Sequence, residues 1–518
     1  MTRAFALLIA FLLGAAPLAG CTSNPATGAT SFTGFMSRDD ELRLGRQEHP
    51  KIVAQFGGEY ADPAVRDYVA RVGGSLAARS EMPELDWRFT VLNSDIVNAF
   101  ALPGGFVYVT RGLLALASSE AELAGVLGHE IGHVTARHAA QRYSTGVLAQ
   151  AGTVAATILG GVLLGDAGAR LAQTTVGGGA QLALAGYSRE QEFEADELGI
   201  RYLGRASYDP GAMARFLEKL QLETALQAEL AGRPGAADEF SLLQSHPRTP
   251  DRVRQAIREA GEAGRPADPR VLREEYLRAI DGLSWGGDAR NGFVKNAVFA
   301  HPELRFRFEV PRGFRIVNGD SAVVAVGPDR VQIVFDRDAR APRGQMAAYL
   351  RQIGAEAVED TSAGGLPAAT GIGRIRDRAG QVQDLRIFLI AGDQAVWRFR
   401  FLSPPSATPR HAEALRQTAF SFRQLDAATA ASLRPHRIAL VRAARDDSAE
   451  TLARRMAVQD AALRRFQVMN GLRPGEALVP GQTYKIIAER RRRGRGDAPV
   501  TSPRRLRARR PPGAQAPP

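Results

Sequence analysis

The sequence predicts an α+β fold in three parts: a mainly helical domain with a small sheet over residues 46–265, a β-rich, α/β sandwich-like domain over 286–425, and a small β-α-α-β module over 435–488. Three observations carry that division. The stretch SSEAELAGVLGHEIGHVTARHAAQR, Ser118 to Arg142, opens with Ser119 and Glu122 spaced as a capping box and continues in helix formers without proline. From about Phe293 to Leu425 the runs LRFRFEV, AVVAV, RVQIVF, LRIFLI and AVWRFRF alternate between Gly, Pro and Asp turns, which is the texture of strands. From Arg437 to Ile487 the text reads as a strand, two short helices, an Asn470-Gly471-Leu472 turn and a closing strand after Pro480-Gly481-Gln482. At 518 residues, with 45% apolar and 24% charged side chains, the chain is globular in composition and too long for one core.

The two ends read as something other than folded domain. Arg3 precedes the apolar run AFALLIAFLLGAAPLAG and Cys21, which fits a signal peptide over residues 1–20 and is too short for a stable span. Cys21 is the single cysteine, so an internal disulfide and a cysteine-based metal site are both excluded. Leu18-Ala19-Gly20-Cys21 resembles the bacterial lipobox, which implies lipidation of Cys21 and, with Thr22 next, anchoring to the outer membrane from the periplasmic side. Residues 21–45 are then expected to be a tether. At the other end, residues 489–518 form a basic Pro/Arg tail with nothing to bury. From Arg490 on it holds ten arginines against Asp497, +9 of the formal +12, so the charge is not spread over a folded face and no nucleic-acid partner is expected.

Chemistry concentrates on the capped helix. Residues four apart share a helix face, so His129 and His133 can hold one metal ion, and neutral imidazoles suit zinc. Glu130 lies beside them, turned toward the open coordination position, where a general base belongs. A catalytic site needs a third protein ligand, and the sequence offers three sources for it. A histidine further along the same helix fails by identity, since Ala136 and Ala139 stand where that pattern needs glycine and histidine; His138, one place short, is expected on the surface or behind the ligands. The segment YSREQEFEADELGIRYL offers a glutamate. With Glu192 at zero on a helical wheel, Asp196, Gly199 and Leu203 fall within roughly 40° of it, while Glu190, Glu194 and Glu197 fall on the opposite, solvent-facing side. Glu192 is therefore the expected ligand, and Asp196, one turn on, accepts the second N–H of a bound histidine. His246, in a Pro247/Pro250 loop before a helix, is an addition: it can donate to the oxyanion of the intermediate or occupy the open position and hold the site closed.

On these residues the chain resembles the BepA/HtpX-type zinc metallopeptidases, gluzincins related to the CAAX prenyl endopeptidase, and within them the periplasmic BepA-like branch. The resemblance covers about Arg46 to Ala260 and rests on HEIGHVTARH, SREQEFEAD and NAFALPGGFVYVTRGLL. It implies one Zn²⁺ per chain, a gating role for His246 with Arg252 as its basic neighbour, and an edge strand for substrate at Gly105, Phe106, Val107 and Tyr108 and on to Thr110. It also implies unfolded or misassembled envelope proteins as substrates. The tetratricopeptide array of that branch has no counterpart after Gly264. FRFEVPRGFRIVN resembles the start of PsbP-like α/β sandwich domains, and the last module resembles LysM, which implies peptidoglycan as a further partner, although Ser448-Ala449-Glu450-Thr451 replaces the usual Gly-Asp-Thr. The uncharged stretch from Tyr143 to Gly165 is expected to be a helical hairpin over the cleft, since a single membrane crossing would part His129 and His133 from Glu192. Two other functions stay open: a latent scaffold or chaperone held shut by His246, and a cell-wall hydrolase.

Overall fold

The computed structural model describes residues 21–147, 186–230, 246, 250–264, 266–319, 322–377, 380–458 and 460–489. The expected signal peptide, most of the expected hairpin over the cleft, and the basic tail lie outside the described residues. Among the described residues no helix is long and apolar enough to cross a membrane.

The described residues open with a hairpin, β1 (Cys21–Ser23) against β2 (Thr30–Phe32). Helix α1 (Arg38–Gln55) starts on a reciprocal Ser37–Asp40 capping box. Helix α2 (Pro63–Ala77) starts on Asp62 with Pro63 in its first turn, where the missing N–H has no partner to lose. The first 45 residues were expected to include a slack tether, and the structure corrects this: Asn24, Ala26, Thr33 and Met36 are buried against the domain.

Next comes a three-stranded sheet, β3 (Arg88–Leu92), β4 (Ala99–Leu102) and β5 (Phe106–Thr110), in the order β3-β5-β4. Strand β5 runs parallel to β3 and antiparallel to β4, and all five of its residues are buried. Gly105, Phe106, Val107 and Tyr108 therefore do not form a sheet edge. The β4–β5 pair is local and legible in sequence, but the parallel partner β3 arrives from beyond α2 and takes the other side of β5. The outer side of β3 is itself bridged, with Tyr60 N donating to Val91 O at 2.8 Å and Asn93 N to Gly58 O at 2.9 Å. Among the described residues the free edge of this sheet belongs to β4. A short helix α3 (Arg111–Leu116) leads into α4 (Glu120–Thr135), followed by α5 (Arg189–Arg205), α6 (Gly211–Leu230), α7 (Pro250–Glu262) and α8 (Arg273–Ile280).

Strand β6 (Ser284–Trp285) precedes the β-rich domain. That domain has a four-stranded sheet, β17 (Arg423–Gln424), β9 (Phe306–Glu309), β8 (Val298–His301) and β7 (Phe293–Lys295). Its larger sheet is fully antiparallel, in the order β10 (Arg315–Asn318), β11 (Val323–Val326), β12 (Gln332–Arg337), β16 (Val396–Ser403), β15 (Val382–Ala391), β14 (Leu366–Arg376), β13 (Glu356–Ala363). Strand alternation divides its two faces. Phe335, Phe388, Phe399 and Phe401 pack with the small sheet and helix α10 (Thr408–Phe420), while Leu389, Val396 and Ala369 pack under α9 (Met346–Gln352).

The last module follows helix α11 (Ala427–Ser432): β18 (His436–Arg442), α12 (Ala449–Arg454), α13 (Ala462–Asn470) and β19 (Thr483–Ala488), with β6 added to its sheet beside β18. It is not a separate bead. One continuous buried cluster holds Leu116, Leu127, Leu203 and Phe216 of the helical domain together with Ile438, Leu452, Phe466 and Tyr484 of the module. At that junction the fully buried Lys485 donates through Nζ to the carbonyls of Ala115, Leu116 and Ala117 at 2.8, 3.0 and 2.6 Å.

Candidate metal centre

Helix α4 begins where Ser119 Oγ accepts from Glu122 N at 3.2 Å. The Glu122 carboxylate completes only part of a capping box: it takes the N–H of Ser118 at 2.8 Å and Lys219 Nζ at 2.7 Å, so the helix start is tied to α6. Helix α5 begins with Ser188 and Gln191 in a full reciprocal capping box, a signal present in SREQ. The two helices touch through small residues. A Cβ on Gly128 would stand 3.2 Å from Gly199 Cα, one on Gly132 3.1 Å from Leu198 Cβ, and one on Gly199 3.0 Å from the backbone N of His129. That close approach brings a side chain of α5 within reach of the imidazoles of α4.

The ligand atoms converge. His129 Nε2 is 3.0 Å from His133 Nε2; Glu192 Oε1 is 3.5 Å from His133 Nε2, and Glu192 Oε2 is 3.6 Å from His129 Nε2. His246 Nδ1 lies 3.2 Å from His129 Nε2 and 2.9 Å from Glu192 Oε1. Two donors about 2.0–2.1 Å from a tetrahedral zinc stand roughly 3.3–3.4 Å apart, which these separations bracket. Three imidazole nitrogens facing one another beside a carboxylate, all buried, are a donor set for a cation, and the nitrogen and oxygen chemistry fits one zinc ion. His246 joins His129, His133 and Glu192 in this group, its donor atom within 4.8 Å of theirs.

The surroundings hold these atoms in the required states. Asp196 Oδ1 is 2.8 Å from His129 Nδ1 and, with Oδ2, receives both Nη2 and Nε of Arg252 at 2.7 Å; Arg252 Nη1 also reaches Glu192 Oε2 at 2.5 Å. Arg252, expected only as a basic neighbour of His246, thus pairs with two carboxylates of α5. Burial by itself would raise the pKa of Glu192, but His246 and Arg252 hold it well below the ordinary carboxylate range. Burial drives His133 well below the ordinary histidine range, toward the neutral form that a metal needs. Tyr187 stacks on His133 with ring centroids 3.8 Å apart, and Arg142 lies over the Tyr187 ring at 4.4 Å. Sequence reasoning missed both; Tyr187 opens the quoted α5 segment, but nothing in its spacing marks it.

Glu130 is buried, its Oε1 3.5 Å from His246 Nε2 and its Oε2 without a hydrogen-bond partner among the described residues. Burial raises its pKa. The free edge of β4 passes the same spot. Thr110 N donates to Asn98 O, and alternate residues of an antiparallel strand turn their N–H and C=O outward, which leaves Ala99 and Ala101 facing away from β5. Ala99 lines a space with His129 and His246, and Ala101 lines a cavity of about 400 Å³ with His133, Tyr187, Leu42 and Leu85. Cys21, the expected lipidation site, is exposed at the start of β1.

Comparison with known proteins follows the same outline. The β-barrel assembly-enhancing protease of Yersinia pestis is 32% identical over 257 residues, 48% of this chain and 49% of that one. Mitochondrial metalloendopeptidase OMA1 of Schizosaccharomyces pombe is 30% identical over 223 residues, 42% of this chain and 61% of that one. The chain spans about half the length of the first of these relatives. Among solved structures, cyanobacterial PsbP from Synechocystis covers 27% of this chain and 98% of its own at 13% identity, with a TM-score of 0.20, which leaves the β-rich domain to be described by its own topology. Residues 63–260, which bring the two histidines, Glu130, Glu192, Asp196, His246 and Arg252 together, match peptidase family M48.

Proposed function

We propose that the chain is a zinc-dependent endopeptidase of the bacterial cell envelope that hydrolyses peptide bonds of unfolded or misassembled envelope proteins and rests with His246 over the metal position. The observation that carries this is the meeting of His129, His133 and Glu192 around one point, with the unpartnered carboxylate oxygen of Glu130 beside it. Zinc, when bound, supplies Lewis acidity toward a peptide carbonyl and makes water a stronger acid. The residues do the rest. Glu130 takes a proton from the attacking water as the new C–O bond forms, then gives it to the leaving amine as the C–N bond breaks. Asp196 and Arg252 keep His129 in its ligating tautomer. A substrate strand added to the outer edge of β4 would cross the metal between the two spaces lined by Ala99 and Ala101. His246 leaves the metal position for the substrate to enter.

The envelope setting is supported by the lipobox-like Leu18-Ala19-Gly20-Cys21, with lipid attachment at Cys21 as the proposed membrane link, and by relatives whose name ties them to β-barrel assembly. The terminal module is read as a structural partner of the helical domain. The test is metal analysis and cleavage of casein and of a misfolded outer-membrane β-barrel protein by the full-length chain. Stoichiometric zinc that disappears in Glu192→Ala, zinc retained without cleavage in Glu130→Gln, and faster cleavage in His246→Ala are expected. A zinc-free wild type, or full cleavage by Glu130→Gln, would overturn the proposal. The position of His246 also favours a second reading, a latent scaffold, which predicts that His246→Ala stays inactive while Glu130→Gln still suppresses aggregation of the same client.

A further inference from the structure

The two imidazoles of α4 are backed in different ways. Behind His129 stands a carboxylate, Asp196. Behind His133 stands another imidazole: His133 Nδ1 is 2.7 Å from Nδ1 of His138, which is fully buried. His138 Nε2 is in turn 3.1 Å from Glu194 Oε2, and Glu194 Oε1 accepts from Asn24 Nδ2 at 2.7 Å and Thr27 Oγ1 at 3.1 Å. If His133 ligates through Nε2, its proton sits on Nδ1 and is donated to the lone pair on Nδ1 of His138, whose own proton then sits on Nε2 and goes to the Glu194 carboxylate. One tautomer assignment satisfies every contact in the chain from His133 to the N-terminal hairpin.

The backbone explains how His138 gets there. On an unbroken helix a residue five positions on points about 140° away from His133. Helix α4 instead stops at Thr135, and Arg137 adopts a left-handed backbone with φ of 56°, which folds residue 138 back beneath His133. A non-glycine residue is disfavoured in that region and persists there only where neighbours hold it. The neighbours are again N-terminal: Arg137 donates to Glu41 Oε2 at 3.0 Å, Met36 O at 2.8 Å and Thr33 Oγ1 at 3.3 Å.

We propose that His138 and Glu194 are positioning residues for the zinc ligand His133, and that the hairpin following Cys21, through Asn24 and Thr27, is the last link of that relay. The segment next to the anchoring position is then part of the metal site. This rests on the zinc-peptidase reading, and the experiment separates the two. In the full-length, zinc-loaded protein, the rate of zinc transfer to a chromogenic chelator is measured beside the melting temperature of the metal-free form.

His138→Phe and Glu194→Ala are expected to release zinc about 10–100-fold faster, the usual loss for partners standing behind metal ligands, with a metal-free melting temperature close to wild type. His138→Gln, whose amide oxygen can still accept from His133, recovers most of the wild-type rate. Asn24→Asp keeps the acceptor for Ala26 N but sets a negative charge against Glu194, and is expected to speed release about 10-fold. Wild-type release in Glu194→Ala, whose side chain is only part-buried and whose folding is not at risk, overturns the relay even if His138→Phe does not fold. Fast release in Glu194→Ala with wild-type release in Asn24→Asp overturns the hairpin link. Absence of zinc from the wild type would instead count against the peptidase reading itself.

Discussion

Replacing Lys485 by methionine tests whether the terminal module and the peptidase domain unfold as one body. The Lys485 ammonium is matched to three carbonyls, Ala115, Leu116 and Ala117, in the turn that leads from α3 into the cap of the metal helix α4. Burial, and then the like charge of Lys219, push the Lys485 pKa well below the ordinary lysine range, and one acceptor for each N–H is the counterweight. Hydrogen bonds to a charged group contribute about 1.5–3 kcal/mol each, so three give roughly 4.5–9 kcal/mol before desolvation. Burying the ammonium takes back several kcal/mol, while methionine keeps the apolar stem and leaves three buried carbonyls without a donor; the net loss comes to about 3 kcal/mol. For a cooperative unit of a few hundred residues, at about 2–4 °C per kcal/mol, that is a fall of roughly 6–12 °C in melting temperature. Calorimetry of the full-length chain reads it against the β-rich domain, whose core is separate. A shift under about 2 °C, or a new early transition that leaves the peptidase transition in place, would refute the single-core argument.

Three further outcomes follow from the same geometry. Gly199→Ala should favour an isolated helix by about 1 kcal/mol, but here its Cβ meets Met213 Cε at 2.8 Å and His129 N at 3.0 Å, so we expect weaker zinc retention in chelator competition in spite of the better propensity. Ala101→Pro removes an outward N–H from the β4 edge and should raise KM for peptide about 10-fold, the order of one hydrogen bond, with zinc content unchanged; equal loss with a non-peptide ester substrate would count against strand addition. Glu122→Gln strands the buried ammonium of Lys219 and should cost about 3–5 kcal/mol, much of it recovered in Glu122→Gln/Lys219→Met. Burial alone would raise the Glu122 pKa, but Lys219 carries it below the model-peptide 4.5. A carboxyl whose folded pKa lies below its unfolded value stabilises above pH 4.5 and loses that contribution as the pH falls through the folded value, so the acid limb of a stability-versus-pH curve below 4.5 should be shallower in the double variant.

What could be read in advance divides by the range of the interaction that decides it. The ligands were legible because helical periodicity is local: four residues separate His129 from His133 and Glu192 from Asp196, and each pair needs only its own helix to be placed. The closeness of the two helices was written in Gly128, Gly132, Ala195 and Gly199, small residues at i, i+4 spacing on both partners, a signal that the wheel around Glu192 touched only at Gly199. The same wheel sent Glu194 to solvent, which is where an isolated α5 would put it; the partners that claim it, His138 across the helix pair and Asn24 some 170 positions away, belong to no local pattern. For His138 the sequence left the surface and the place behind the ligands both open; the choice depends on one left-handed residue, Arg137, and arginine carries no left-handed signature in a sequence. The β5 edge failed for a related reason. A hairpin partner such as β4 is predictable from the turn between the strands, whereas a parallel neighbour such as β3 comes by a crossover whose order in the sheet local text does not fix. The module was legible as β-α-α-β, yet Lys485 in the middle of YKII reads as an exposed position in a strand until its three carbonyls, some 370 residues earlier, are known. Chemistry that sits on one element can thus be read from that element, and what holds the chemistry in place is written between elements distant in the chain.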